Sequence, residues 1–117
     1  MEIIKTTTES RVDIVRATNT TKTLQNVEPG KVLNLKEIII YKAHDDNEEK
    51  DVEVTALKVE DNGESYFINS ISKTVKQSVE VIMSVFSNED IKAGILIKVE
   101  SDTSKGGRTF YHIDIAE

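Results

Sequence analysis

The sequence predicts a mainly β domain with one helix set between its third and fourth strands. Three observations carry this. Runs rich in Val, Ile and aromatic residues recur along the chain, separated by Pro-Gly, Asn-Gly and Gly-Gly turn signals. From Ile71 to Phe86 the apolar period lengthens from two to steps of three and four. The 117 residues, 38% of them apolar, suffice for one modest core.

Each element follows from local pattern. Residues 1–10, "MEIIKTTTES", are polar and threonine-rich and read as a flexible arm ahead of one domain at 11–117. "RVDIVRAT" sets Val12 and Ile14 against Arg11 and Asp13, which predicts a short extra strand in front. "NTTKTLQN" is a polar loop, and Pro29-Gly30 turns the chain. "KVLNLKEIIIYKA" is the longest strand run, closed by the acidic loop "HDDNEEKD". In "VEVTALKVE", Val52, Val54 and Ala56 share one parity while Leu57 and Val59 take the other, so this strand should bulge or bend. Asp61-Asn62-Gly63 is a hairpin turn into a short strand, "SYFI". Ile71, Val75, Val79, Ile82 and Phe86 then make one buried helical stripe, capped by Asn69, Ser70 or Ser72 and ending near 87–90. "GILIKVES" and "RTFYHIDI" are the last two strands, joined by a turn at 102–107.

Three strands, a helix and two strands is the order of the OB-fold, a five-stranded, partly open Greek-key barrel. A bent second strand suits such a small barrel. A roll or split β-sandwich with one covering helix fits the same order.

Composition removes several function classes. A net charge of −6 argues against coating duplex nucleic acid by bulk charge, though not against a local basic groove. There is no cysteine, hence no disulfide or thiolate chemistry. No apolar run reaches the roughly 18 residues of a membrane span, and the first residues lack the pattern of a secretory leader, so a cytoplasmic protein is expected. His44 and His112 lack metal-ligand spacing, and the acidic loop lacks the glycine and alternation of a calcium loop. Gly106 and Gly107 follow Lys105 and precede a strand, so they do not form a P-loop. No enzymatic activity, metal or cofactor is expected.

The last strand is more informative. Tyr111, Ile113 and Ile115 share the core parity, which leaves Phe110 among polar neighbours beside Lys105 and Arg108. A ring beside cations suits base stacking with a phosphate contact, and burial of Phe110 under the arm or an extra strand is the alternative. Tyr66 and Phe67 point to opposite faces. Tyr41, beside Lys42, is either a core-edge ring or a stacking ring. Lys73 and Lys76 occupy the first turns of the helix, where cations oppose the dipole and serve either as a solvated face or as ligand contacts. In an OB barrel "SDTSKGG" would form one rim of the groove and "AHDDNEEKD" the other. His112 and Asp114 share a face of the last strand, the minimal condition for a hydrolase or isomerase.

"LQNVEPGKVLNLKEIIIYK", "YFINSISKTVKQSVEVI" and "DTSKGGRTFYHIDI" together resemble the single-stranded DNA-binding proteins of small tailed bacteriophages that prime replication with a terminal protein. The resemblance spans residues 24–115 and rests on Asn26, Gly30, Tyr41, Lys42, Tyr66, Ile71, Ser72, Lys73, Thr74, Val75, Ser104, Lys105, Gly106 and Phe110. It implies non-sequence-specific binding and protection of single-stranded DNA during viral DNA replication, by a monomer or weak oligomer in the host cytoplasm. It implies no catalysis, with replication proteins such as a DNA polymerase as further partners. The expected DNA-binding set is Tyr41, Lys42, Tyr66, Lys73, Lys76, Lys105, Arg108 and Phe110. The competing reading is a phage β-domain that binds only protein.

Overall fold

The longest β-run of the sequence becomes the strand around which the sheet is built. The computed structural model describes residues 1–116. Its strands are β1 (Glu2–Thr6), β2 (Val32–Asp45), β3 (Lys50–Asp61), β4 (Glu64–Ser70), β5 (Ile95–Thr103) and β6 (Thr109–Ile115). Its helices are α1 (Arg11–Asn19), α2 (Lys73–Val85) and α3 (Asn88–Ala93), with a 3-10 turn at Leu24–Asn26. All strand pairs are antiparallel, in the order β4-β3-β2-β5-β6. One edge of β2 pairs with β3 along most of its length. The other edge is shared, β5 taking Val32–Leu35 and β1 taking Ile39–Lys42.

A bulge on β2 organises both faces. Leu35 pairs with Val59 and Glu37 with Lys58, so Lys36 is the extra residue. Because side chains alternate along a strand, one inserted residue puts Leu33, Leu35, Ile38 and Ile40 on the same side. All four lie in the larger core with Leu57, Val59, Ile68 and the α2 stripe. Ile39 and Tyr41 face the other way, into a smaller core with Val54, Ala56, Phe67 and Ala17 of α1. The bulge expected in the 52–60 strand is therefore on its partner. β3 alternates regularly and is buried on both faces, which is what its apparent parity change records.

The two cores correct the reading of the N-terminal residues. Glu2–Thr6, expected in a flexible arm, pairs with β2. Arg11–Thr18, expected as a strand, is helical: the Ser10 side chain accepts from the Asp13 amide at 3.2 Å and caps α1. Asp13 and Ala17, four residues apart, face the sheet with Ile14 beside them. Val12 and Val15 stay exposed, so the apolar alternation that suggested a strand is not the buried set.

The Asn62-Gly63 turn is as expected, with φ of 53° and 82°, the doubly positive pair that a tight hairpin favours. α2 begins at Lys73, capped by Ser72, and buries Val75, Val79 and Ile82. Each contributes roughly 1.5–3 kcal/mol of burial, which offsets the modest propensity of a β-branched helix. Ile71 lies outside the helix and is exposed, so it leaves the expected stripe. The helix stops at Val85 because a Ser87–Asp90 capping box starts α3. Gly94 ends α3 at φ 117°, where a Cβ would stand 2.5 Å from the Asn34 Oδ1 atom.

The fold is mainly β, but among the described residues the sheet is open and no closed barrel forms. β4 and β6 end the strand path and do not pair with each other among the described residues. The free edge of β4 is occupied instead: Lys22 and Thr23 run beside Asn69, and the Thr20 hydroxyl donates to the Phe67 carbonyl at 2.7 Å. α2 packs against β6. Among the described residues no helix is long and apolar enough to cross a membrane.

Candidate nucleic-acid interface

The expected binding residues fall into three separate places. The first is the β5–β6 hairpin. Lys105 and Arg108 are exposed in its turn, where the Gly107 amide donates to Ser104 and the Ser104 amide to Arg108. Phe110 pairs with Asp102 and keeps 36% of its surface exposed. Tyr111, Ile113 and Ile115 pack on the larger core, as their parity predicts. The outer face also carries Glu100, Asp102 and Asp114, so Phe110 has basic neighbours towards the turn and acidic ones along the strand.

The second place is a groove of about 530 Å³ at the start of α2, lined by Lys50, Ile71, Lys73 and Lys76 among others. Here the Lys76 ammonium donates to both Glu53 oxygens at 2.8 and 3.0 Å. That hydrogen bond holds the Glu53 carboxyl below its usual range, with Lys42 and Lys73 adding smaller effects. Three of the expected cations thus converge on one carboxylate. Lys42 also lies 3.8 Å from Glu2.

The third place is Tyr66, on the edge strand β4. Its ring is half-buried against the larger core. Its hydroxyl donates to Asp61 at 3.3 Å, and Lys31 holds the other side of that carboxylate at 2.7 Å. Lys31 lowers the Asp61 carboxyl, and burial followed by Asp61 raises the Tyr66 phenol. The Lys22 ammonium sits 4.0 Å from the ring centroid. Tyr66 lines two grooves, one of about 400 Å³ on the face its ring occupies and one of about 330 Å³ on the opposite, α1 face of β4.

Tyr41 does not join any of these. It is 5% exposed in the smaller core, roofed by β1 through its pairing with Ile3 and by α1. Its ring has no open face for a base, because the N-terminal residues expected as a flexible arm and an edge strand cover it. Phe67 is also 5% exposed, which leaves Tyr66 as the accessible ring of that pair. Tyr41, Tyr66 and Phe110 therefore do not share one concave face. The two expected rims leave the sheet at opposite ends of β2. β5 pairs only with its first four residues and runs on past them, whereas the acidic turn follows its last.

Each histidine stands beside a carboxylate. His112 lies 3.3 Å from Asp102, while Asp114 accepts from the neighbouring Ile115 amide. His44 is 3.2 Å from Asp51 on the exposed acidic hairpin. Among the described residues no cluster of three or more His, Asp or Glu is placed to hold a metal ion.

A family model described as Phage Single-stranded DNA-binding protein, of the phi29 type, matches residues 2–116. The chain belongs to this phage single-stranded DNA-binding protein family. No curated protein and no solved structure matches it. The match takes in the N-terminal β1 and α1, which the resemblance at 24–115 did not reach. For a single-stranded DNA-binding family, the groups of interest are accessible rings and cations free to meet phosphates. Arg16, Lys22, Lys73, Lys105 and Arg108 have no carboxylate within ion-pair reach among the described residues. Arg16 and Lys22 were missed by sequence reasoning. Lys22 lies in a polar loop with no periodicity, and Arg16 was assigned to a strand instead of a helix.

Proposed function

We propose that this family member binds single-stranded DNA without sequence preference and protects it during viral DNA replication. Tyr66 stacks on a base, Phe110 stacks on a second, and the unpaired cations around them neutralise phosphates. Stacking tolerates any sequence because every base offers a π-face. The observation that carries this reading is the Tyr66 ring itself, part-exposed in the lining of the 400 Å³ groove and accompanied by a cation. Lys105 and Arg108 serve Phe110, and Lys73 serves the α2 groove. Lys76 joins them when Glu53 releases it. Binding is salt-sensitive, since phosphate neutralisation releases counterions. The protein works as a monomer or weak oligomer without metal, cofactor or catalysis, alongside replication proteins such as a DNA polymerase in the host cytoplasm.

Titration with oligo-dT at low salt tests this. Retarded migration that weakens steeply with added salt is expected. Absence of binding at low salt would refute the reading.

A further inference from the structure

The grooves on the two faces of β4 at Tyr66 differ in their walls but share a pattern of charge. The first runs between α1 and β4, with Arg16, Lys58 and Asp13 in its lining. The second runs beside residues 22–31, with Lys22, Lys31 and Asp61 in its lining. Each holds one cation already neutralised by a carboxylate: Lys58 with Asp13 at 3.4 Å, and Lys31 with Asp61 at 2.7 Å. Each also holds one exposed cation without such a partner among the described residues, Arg16 in the first and Lys22 in the second.

A base and its phosphate arrive as one nucleotide, so a base stacked on Tyr66 brings negative charge to the rim of the ring. Lys22 is already there, 4.0 Å from the ring centroid. The attraction of an exposed cation to a ring face is weak, so the ammonium exchanges it readily for a phosphate oxygen. The Tyr66 hydroxyl stays tied to Asp61, which keeps the ring in place during that exchange. We infer that Lys22, at the Tyr66 ring, and Arg16, on the opposite face of β4, are phosphate contacts of one DNA path, so that the strand passes from the α1 groove over the β4 edge at Tyr66 into the 22–31 groove. This rests on the reading that Tyr66 stacks. It adds two contact residues and a direction of travel.

The test uses the full chain and a labelled oligo-dT followed by fluorescence anisotropy over a series of salt concentrations. Each phosphate contact on a single strand contributes about 0.7 to the slope of log affinity against log salt. Lys22→Gln and Arg16→Gln should each flatten the slope by about that amount, and the double variant by about twice as much. Lys22→Arg should restore it. Lys36→Gln, at the β2 bulge and in the lining of neither groove, should leave it unchanged. Folding is checked by circular dichroism, and both sites are exposed. An unchanged slope in both Gln variants overturns the inference. Failure of the parent reading looks different, because wild-type tyrosine emission would then persist on binding. Loss of affinity without a change of slope also overturns the inference, since it would assign Lys22 to holding the ring and not to the phosphate.

Discussion

The ammonium of Lys22 stands 4.0 Å from the centre of the Tyr66 ring, while the hydroxyl of that ring donates to Asp61 at 3.3 Å. One side chain is thus held at its face and at its tip by residues from two distant parts of the chain. The arrangement orients the ring before any ligand arrives, which lowers the ordering cost of stacking.

Phe110 tests whether a second base is held. Its exposed ring adds little to the core, so Phe110→Ala should change stability by no more than about 0.5 kcal/mol. Loss of one stacked base should weaken binding by about 1–3 kcal/mol. Denaturation and anisotropy on the same variant separate the two. Unchanged affinity would remove Phe110 from the interface.

Glu53 should act as a brake on DNA binding. It occupies Lys76 through two hydrogen bonds. Glu53→Gln frees that ammonium and removes a negative charge from the α2 groove. Affinity for oligo-dT should rise at low salt and the salt dependence should steepen. No change would mean that the α2 groove lies off the DNA path.

A pH dependence of stability should arise at Glu37. Glu37 is 8% exposed, and its Oε2 atom has no hydrogen-bond partner. Burial pushes its carboxyl upward, the neighbouring Asp13 adds to this, and Lys58 opposes it. The folded state therefore keeps a proton that the unfolded chain releases at lower pH. The stability this contributes is complete below the ordinary value near 4.5 and is lost as pH rises through the raised one. Glu37→Gln should remove that decline, leaving the variant at least as stable as wild type at pH 8. Urea midpoints from pH 5 to 8 measure the difference. Parallel curves would contradict it.

Gly94 should disfavour any side chain. Its φ of 117° is strained for other residues, and the Asn34 side chain would have to move from the Cβ position. Gly94→Ala should destabilise by about 1–3 kcal/mol, read as a lower denaturation midpoint with unchanged oligonucleotide contacts.

Legibility in the sequence varied with how local the determining interaction was. The Asn62-Gly63 turn, the α2 stripe at Val75, Val79 and Ile82, and the core parity of Tyr111, Ile113 and Ile115 depend on neighbours in the chain, and all were readable. α1 was not, because Val12 and Ile14 imitate a strand while a carboxylate, Asp13, occupies its buried face. Ser10 and Asp13, three residues apart, were the available signal. The β3 parity change misled because a second core on the reverse face buries Val54 and Ala56. Tyr41 looked like an interface ring only while the residues that cover it were read as arm and edge strand. Phe110 was placed outside correctly, but its acidic neighbours come from β5 and needed the register to be seen. The Lys22–Tyr66 contact spans forty-four positions and leaves no pattern at either end.

The central claim is that Tyr66 is the stacking ring, and tyrosine emission tests it most directly. The chain has three tyrosines and no tryptophan. Tyr41 is buried and Tyr111 packs on the core face, so quenching by oligo-dT should report on Tyr66. In Tyr66→Phe the ring still stacks, so anisotropy should show near-wild-type affinity while most of the quenching disappears. Full quenching in Tyr66→Phe would contradict the account.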